Sequence, residues 1–247
     1  MSRAGRLRAE FIAAGRSFLR RRTAVFFTFL FPVILVVIFG ALVGSGAGGS
    51  LFAEPPAYYV PGYLAVVVLF TPLSRLSATV ARHREGRRFE KLATTPLSAA
   101  EWLAAHGLVN VGLVGVAGVI VLALSVGLAG ARFSPSPLLV AFVVLGTTVF
   151  VGAGAVIGRL ASSQDGAVAA SNTIGLPLVF LSETFVPPTL LPAWFRPVVA
   201  LSPLTYFARG TRAAITADGP WGPPLAILAG LAVLAAAVGT WALPWRT

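Results

Sequence analysis

The sequence predicts an all-α integral membrane protein: an N-terminal interfacial amphipathic helix, six transmembrane helices, and an outer re-entrant hairpin between the fifth and the sixth. Three observations predict it. The 247 residues are 57% hydrophobic and only 11% charged, with mean hydropathy +0.86; a soluble domain is about half apolar and roughly a quarter charged. Apolar runs of roughly 20 residues, the length that crosses a ~30 Å hydrocarbon layer, recur along the chain. The formal charge of +11 is confined to a few short segments, as in membrane proteins whose cytoplasmic loops collect Lys and Arg.

Residues 1–22 come first. They hold seven arginines (3, 6, 8, 16, 20, 21 and 22), with Leu7, Phe11, Gly15, Phe18 and Leu19 recurring at helical spacing. That pattern suits a helix lying among lipid headgroups, its arginines drawn to anionic lipid; a disordered basic tail is the alternative. The six spans are expected at about Thr23–Val43, Tyr59–Ala81, Leu103–Ala129, Leu138–Arg159, Ala167–Ser182 and Pro224–Leu243. The fifth is the weakest, interrupted by Ser171, Asn172, Thr173 and Pro177. The start resembles a signal peptide, but its apolar run is too long and no Ala-x-Ala site follows, so a retained span is expected.

Between the first two spans GSGAGGS (44–50) reads as a flexible outer linker. Gly112, Gly115 and Gly118 in the third span, and Gly154 and Gly158 in the fourth, would let helices approach closely, within the bundle or at a dimer seam. After the fifth span, Pro187, Pro188, Pro192, Pro197 and Pro203 break an apolar stretch. Proline blocks a helix interior and non-helical backbone at membrane depth must be sheltered by protein, so two short helices dipping into the outer leaflet are expected.

Both termini are expected in the cytoplasm of a plasma-membrane protein. With that orientation the inner segments carry 14 basic residues, including Arg159 and Arg246, and the outer ones four: Arg132, Arg196, Arg209 and Arg212. Basicity then reports topology rather than a nucleic-acid surface.

Chemistry is narrowed by elimination. There is no cysteine, hence no disulfide or Cys-based metal site. Lys91, the sole lysine, lies between Glu90 and Leu92, outside any Gly-Lys-Ser/Thr phosphate loop. His83 and His106 form no His-Glu-x-x-His frame and are expected at the inner interface. No Gly-x-Ser-x-Gly elbow occurs. A proton-driven carrier usually keeps a carboxylate inside the bilayer, and only Glu183 comes close. No catalytic residue, metal or cofactor is expected on this chain, and its energy source is expected elsewhere.

Two charges remain to be placed. Arg75 lies within the second span, seven residues or about 10 Å before Arg82; it either snorkels to the headgroups or serves a pathway beside Ser74 and Ser77. Ser171, Asn172 and Thr173 of the fifth span complete the candidate pathway. Glu183 either sits hydrated at headgroup level or pairs with Arg209 or Arg212, stapling the hairpin over the outer mouth.

Val80 to Leu108, VARHREGRRFEKLATTPLSAAEWLAAHGL, resembles the cytoplasmic loop of ABC transporter permeases of the type-2 exporter family, which include drug, lipid and polysaccharide exporters. The matching residues are Arg84-Glu85-Gly86, Glu90, Leu92 and Thr95-Pro96-Leu97. LSETF, VPP and TLLPAW, then SPLTY and Arg212, resemble the same family's outer re-entrant signature. The resemblance covers essentially the whole chain as one permease domain, 1–247, with an interfacial helix at 1–22, a coupling loop at 82–102 and an outer hairpin at 184–213. Arg87-Arg88-Phe89 and Glu183 depart from the family pattern.

The resemblance implies that Glu85, Gly86, Glu90, Leu92, Thr95, Pro96 and Leu97 couple to a separate ATP-binding subunit, which carries ATP and magnesium. Thr95-Pro96 suits the start of the coupling helix, proline being favoured in a first turn. Glu183, Pro192, Trp194, Pro203, Tyr206, Arg209 and Arg212 would form the outer gate. The expected protein is a permease subunit, not itself an enzyme, that works with a second permease copy or a related permease. Hydrophobic drug-like or lipid-like cargo is expected. A lipid-linked polysaccharide exporter, a stand-alone channel or carrier, and an intramembrane enzyme are the alternatives.

Overall fold

In a computed structural model the described residues are 2–45, 54–134, 136–185, 192–216 and 219–245, with the side chains of 42–45 left aside. Among them are ten helices and no strand: α1 (Arg3–Leu19), α2 (Arg22–Ser45), α3 (Pro56–Glu85), α4 (Arg88–Ala93), α5 (Ala99–Gly127), α6 (Leu138–Leu160), α7 (Gln164–Phe180), α8 (Arg196–Ala200), α9 (Pro203–Thr216) and α10 (Gly222–Ala242). Five of these, α2, α3, α5, α6 and α10, are long and apolar enough to cross a membrane, so this is a multi-pass membrane protein. The expected fifth span corresponds to α7; its 17 residues make it about 25 Å long.

α3 is the axis of the bundle, buried almost continuously from Tyr59 to Leu69 and again from Leu76 to Ala81. It packs against α2, α5, α6, α7 and α9. Close approach to α6 depends on glycine: a Cβ on Gly158 would collide with the Ser77 carbonyl oxygen, and one on Gly154 would lie 2.9 Å from that of Leu73. Gly154 and Gly158 therefore act inside the bundle. Gly118 faces Leu64, whereas nothing stands within 4 Å of a Cβ on Gly112 or Gly115. By contrast α2 and α10 leave Phe26, Phe27, Ile38, Val233 and Trp241 exposed, the surface expected of helices that face lipid or another chain.

The expected basic tail or interfacial segment is helical, with Ser2 as N-cap. Its inner face, Ala14 and Phe18, is buried by protein, and the helix packs along α5. Arg6 holds Glu101 through two bonds, Nε to Oε2 at 3.1 Å and Nη2 to Oε1 at 2.5 Å. This contact keeps Arg6 above the ordinary guanidinium range. One turn on, Glu10 lies 3.3 Å from His106 Nε2.

One local expectation is corrected. Thr95-Pro96 does not start a helix: the short helix α4 precedes it, and α5 begins after Ser98. Ser98 accepts from the Glu101 amide while Glu101 accepts from the Ser98 amide, a reciprocal capping box that satisfies two orphan donors of the first turn. Pro96 lies in the connecting turn, where Thr95 Oγ1 donates to the Leu92 carbonyl. The Ser98-x-x-Glu101 pattern competes successfully with proline for the helix start.

The described part of the proline-broken stretch forms two short helices, α8 and α9. Thr205 and Tyr206 tie them together, donating to the Val199 and Ala200 carbonyls at 2.6 and 2.7 Å. α9 is not peripheral: Phe207, Ala208, Thr211 and Ile215 are buried against α3, α6 and α10. Residues 46–50 of the expected linker, residues 186–191 of the outer signature, and Arg246 lie outside the described residues.

Candidate functional site

The two ends of α3 lie about 40 Å apart, and each gathers residues that the sequence marks. At the Glu85 end, α4 is pinned by Phe89, which is 3% exposed and stacks edge-on to Trp102 at 5.3 Å, with Trp245 at 5.8 Å and His83 at 5.5 Å. Arg87, in the left-handed region at φ 49°, reverses the chain between α3 and α4. Of the expected coupling residues, Glu85, Gly86, Glu90, Thr95 and Pro96 are exposed, while Leu92 and Leu97 are half-buried against the Phe89–Trp102 cluster. Glu85 also accepts from the Gln164 amide at the start of α7, and Arg84 donates to the Gly158 and Ala161 carbonyls at the end of α6. The corner is therefore a stiff projection bonded to α6 and α7.

At the Tyr58 end two of the expected gate residues, Arg209 and Arg212, meet Glu183, only 4% exposed. Arg209 grips its carboxylate with Nε and Nη2, the former at 2.7 Å. Arg212 donates instead to the Glu183 carbonyl at 3.2 Å, and its guanidinium lies 4.0 Å above the Tyr58 ring. Ser182 and Thr184 hydroxyls bond one another beside it. Gly62 of α3 makes room: a Cβ there would collide with the Thr184 carbonyl oxygen. Glu183 is thus paired rather than hydrated, with Arg209 as the carboxylate partner. Pro203 opens α9, Pro192 accepts from the Phe195 amide, and Trp194 is 74% exposed beside Phe195.

Between the ends, α2 and α7 flank α3 and leave a cleft of about 1330 Å³, closed at the Glu85 end by α1 and α4. Ser74, Arg75 and Asn172 line it, as a pathway would require. Ser77 and Ser171 do not; their hydroxyls meet at 2.7 Å, fully buried, and fasten α3 to α7. Thr173 is exposed and outside the cleft. Arg75 points toward α1, 5.4 Å from the Phe18 ring centroid.

Sequence reasoning missed that α1 walls this cleft with Glu10 and Phe18, joined by Arg21 of the α1–α2 connection, and that α1 is clamped to α5. The only sequence trace is the spacing Arg6–Glu10, one helical turn, which presents two charges on one face. Their partners lie 95 and 96 residues on.

Among known proteins, this chain is similar to the inner membrane transport permease YadH of Escherichia coli K12, 26% identical over 187 residues covering 73% of this chain and 72% of YadH. The YadH proteins of E. coli O157:H7 and Shigella flexneri align over the same extent. The family model for ABC-2 type transporters matches residues 7–216, a stretch that runs from the α1 clamp through the α4 corner and the Glu183 cluster to the end of α9. The chain accordingly belongs to the ABC-2 type transporter family, as a permease.

Proposed function

We propose that this permease is the transmembrane subunit of an ATP-driven exporter in a plasma membrane. It would have both termini in the cytoplasm, six spans counting α7, and α8–α9 as a re-entrant hairpin on the outer side. A separate ATP-binding subunit docks on the α4 corner and supplies ATP and magnesium; a second permease copy completes the pathway. The observation that carries this reading is the corner itself. It exposes Glu90, Thr95 and Pro96, while Phe89 anchors it from within and Glu85 and Arg84 join it to α6 and α7.

A push on such a projection moves α3, the helix that also carries Arg75 and touches the Glu183 cluster. The family relationship supports the partner, since ABC-2 permeases generally work with an ATP-binding subunit. Inner-membrane placement is supported by the YadH relatives. Hydrophobic or amphiphilic cargo is supported by the apolar walls of the cleft.

Glu90→Lys with Pro96→Glu changes only exposed corner residues. The double variant should insert and fold normally but fail to co-purify with the ATPase encoded beside it and fail to couple its hydrolysis to transport. Retained assembly and transport would remove the corner as the energy input.

A further inference from the structure

The cleft before α3 has a charge imbalance that the fold does not explain. Arg21, Arg75, Arg82, Arg88 and Lys91 line it, against one carboxylate, Glu10. Glu10 is turned to His106, 3.3 Å away. Glu85, next along, is engaged with the α7 amide. Arg75 Nη1 and Arg82 Nη1 are buried and have no hydrogen-bond partner among the described residues. Buried guanidinium N–H groups are normally satisfied, and a group of like charges drawn together without an anion is unfavourable.

The rest of the wall is of the opposite character. Ala24, Phe27 and Phe31 of α2 face Val168 and Leu176 of α7 across the opening. Phe27, Phe31 and Leu176 are about half exposed on the outside of the bundle, so the cleft is continuous with an apolar outer surface of the kind that meets lipid or another chain. A soluble nucleotide has no use for such a wall. An amphiphile entering sideways from the bilayer matches both parts.

We propose that this cleft binds a net-anionic amphiphile whose charge is carried by phosphate. Its phosphate sits among Arg75, Arg82 and Arg88, and its apolar chain lies between α2 and α7. Planar guanidinium groups offer paired N–H donors to phosphate oxygens, and a phosphate has enough oxygens to be shared among several of them. The Phe18 ring holds the Arg75 guanidinium from the α1 side, leaving its free N–H for the ligand. As a cargo site it rests on the export reading; as a binding site it does not, and it is tested without the ATPase.

The intact permease, purified in neutral detergent, is titrated with short-chain phosphatidylglycerol, a prenyl monophosphate, phosphatidylcholine and inorganic phosphate, with bound molecules counted by native mass spectrometry. One phosphatidylglycerol or prenyl phosphate should be retained at least tenfold more tightly than phosphatidylcholine, and inorganic phosphate should compete only weakly. Tighter prenyl phosphate identifies a lipid-linked cargo as the source, and tighter phosphatidylglycerol a membrane lipid.

Arg75→Gln should lower the retention at least tenfold, while Arg3→Gln with Arg8→Gln, an equal or greater charge loss on exposed α1, should not. If Arg75→Gln does not accumulate, Arg82→Gln with Arg88→Gln carries the same expectation. The Glu90→Lys, Pro96→Glu protein should bind normally even though it fails to couple, which separates this inference from the export reading. Equal retention of phosphatidylcholine, strong competition by inorganic phosphate, or equal losses in the α1 control would each overturn the proposal.

Discussion

At the Tyr58 end of α3, Glu183 holds Arg209 through both carboxylate oxygens and lends its carbonyl to Arg212. At the Glu85 end, Arg75 and Arg82 each keep a buried N–H without an acceptor among the described residues. One helix thus joins a cluster built on a bidentate Arg209–Glu183 pair, where Arg212 still keeps a buried Nε–H without an acceptor among the described residues, to a cluster of arginines with no carboxylate in contact. The two ends are also stabilised differently. Ionic contacts and the Arg212–Tyr58 stack close the first, whereas at the second, beside the Arg6–Glu101 pair, the α4 corner is closed by rings: Phe89, Trp102, His83, His106 and Trp245 form one chain of aromatic contacts. With rings, and Arg84 on the α6 carbonyls, holding the corner, Arg75 and Arg82 are left without such a structural task. Arg209, held by a carboxylate, and Arg212, held by a carbonyl and a ring, read as architecture, whereas Arg75 and Arg82 read as ligand-binding groups.

The largest effect should come from the rings. Phe89→Ala removes a side chain 3% exposed from between two tryptophans and should cost about 3 kcal/mol, the lower part of the range for buried Phe→Ala. Unfolding in detergent, followed by fluorescence of Trp102 and Trp245, would measure it and should show both indoles more hydrated in the variant. A cost under about 1 kcal/mol would mean that charges, not rings, hold this end.

The Glu183 end comes next. Breaking a buried pair costs roughly 3–5 kcal/mol, but exposed pairs are worth about 0–1. Arg209 is 45% exposed against 5% for Glu183, so Glu183→Gln should cost about 2 kcal/mol, midway between those limits. In double-mutant cycles the coupling of Glu183→Gln to Arg209→Gln should be about 1–2 kcal/mol, and to Arg212→Gln close to zero. The reason is geometric: Arg212 bonds the backbone carbonyl, which glutamine retains. Additivity with Arg209, or stronger coupling to Arg212, would undo the assignment of Arg209 as the latch.

Much of this architecture was legible because membrane segments carry a length rule. Four of the six expected spans coincide with long helices to within a few residues, and the second, α3, only extends further into both flanks. The fifth was correctly the weakest: the stretch holding Ser171, Asn172, Thr173 and Pro177 yields a helix of 17 residues. The Glu183 pairing was legible as two candidate arginines because helical spacing puts Arg209 and Arg212 on adjacent faces; only geometry could choose between them. The start of α5 was misread because Pro96 and Ser98 are both good helix-start signals two residues apart, and a reciprocal cap outweighs a fixed φ. The α1 wall of the cleft was illegible for a different reason. Its contacts to Glu101, His106 and Arg75 join segments some 60 to 100 residues apart, and no periodicity within α1 says which helix it will cover.

The smallest effect is the most discriminating between the ends. Arg75→Gln takes away a half-buried charge, and one with no carboxylate in contact among the described residues. Losing an unpaired, partly buried cation relieves desolvation, while the lost packing over the Phe18 ring removes a cation–π contact of about 0.5–1 kcal/mol. These terms oppose one another, so in neutral detergent the stability of the variant should lie within about 0.5 kcal/mol of the parent. A cost near 2 kcal/mol, like that at Glu183, would show that Arg75 is held by the fold, and the contrast between the ends would collapse. Added phosphatidylglycerol should then separate the two proteins. A ligand at a hundredfold excess over its Kd stabilises the folded state by about 2.7 kcal/mol, a gain the parent should show and Arg75→Gln should largely lose. Equal gains in both would leave Arg75 without a ligand and return it to snorkelling toward the headgroups.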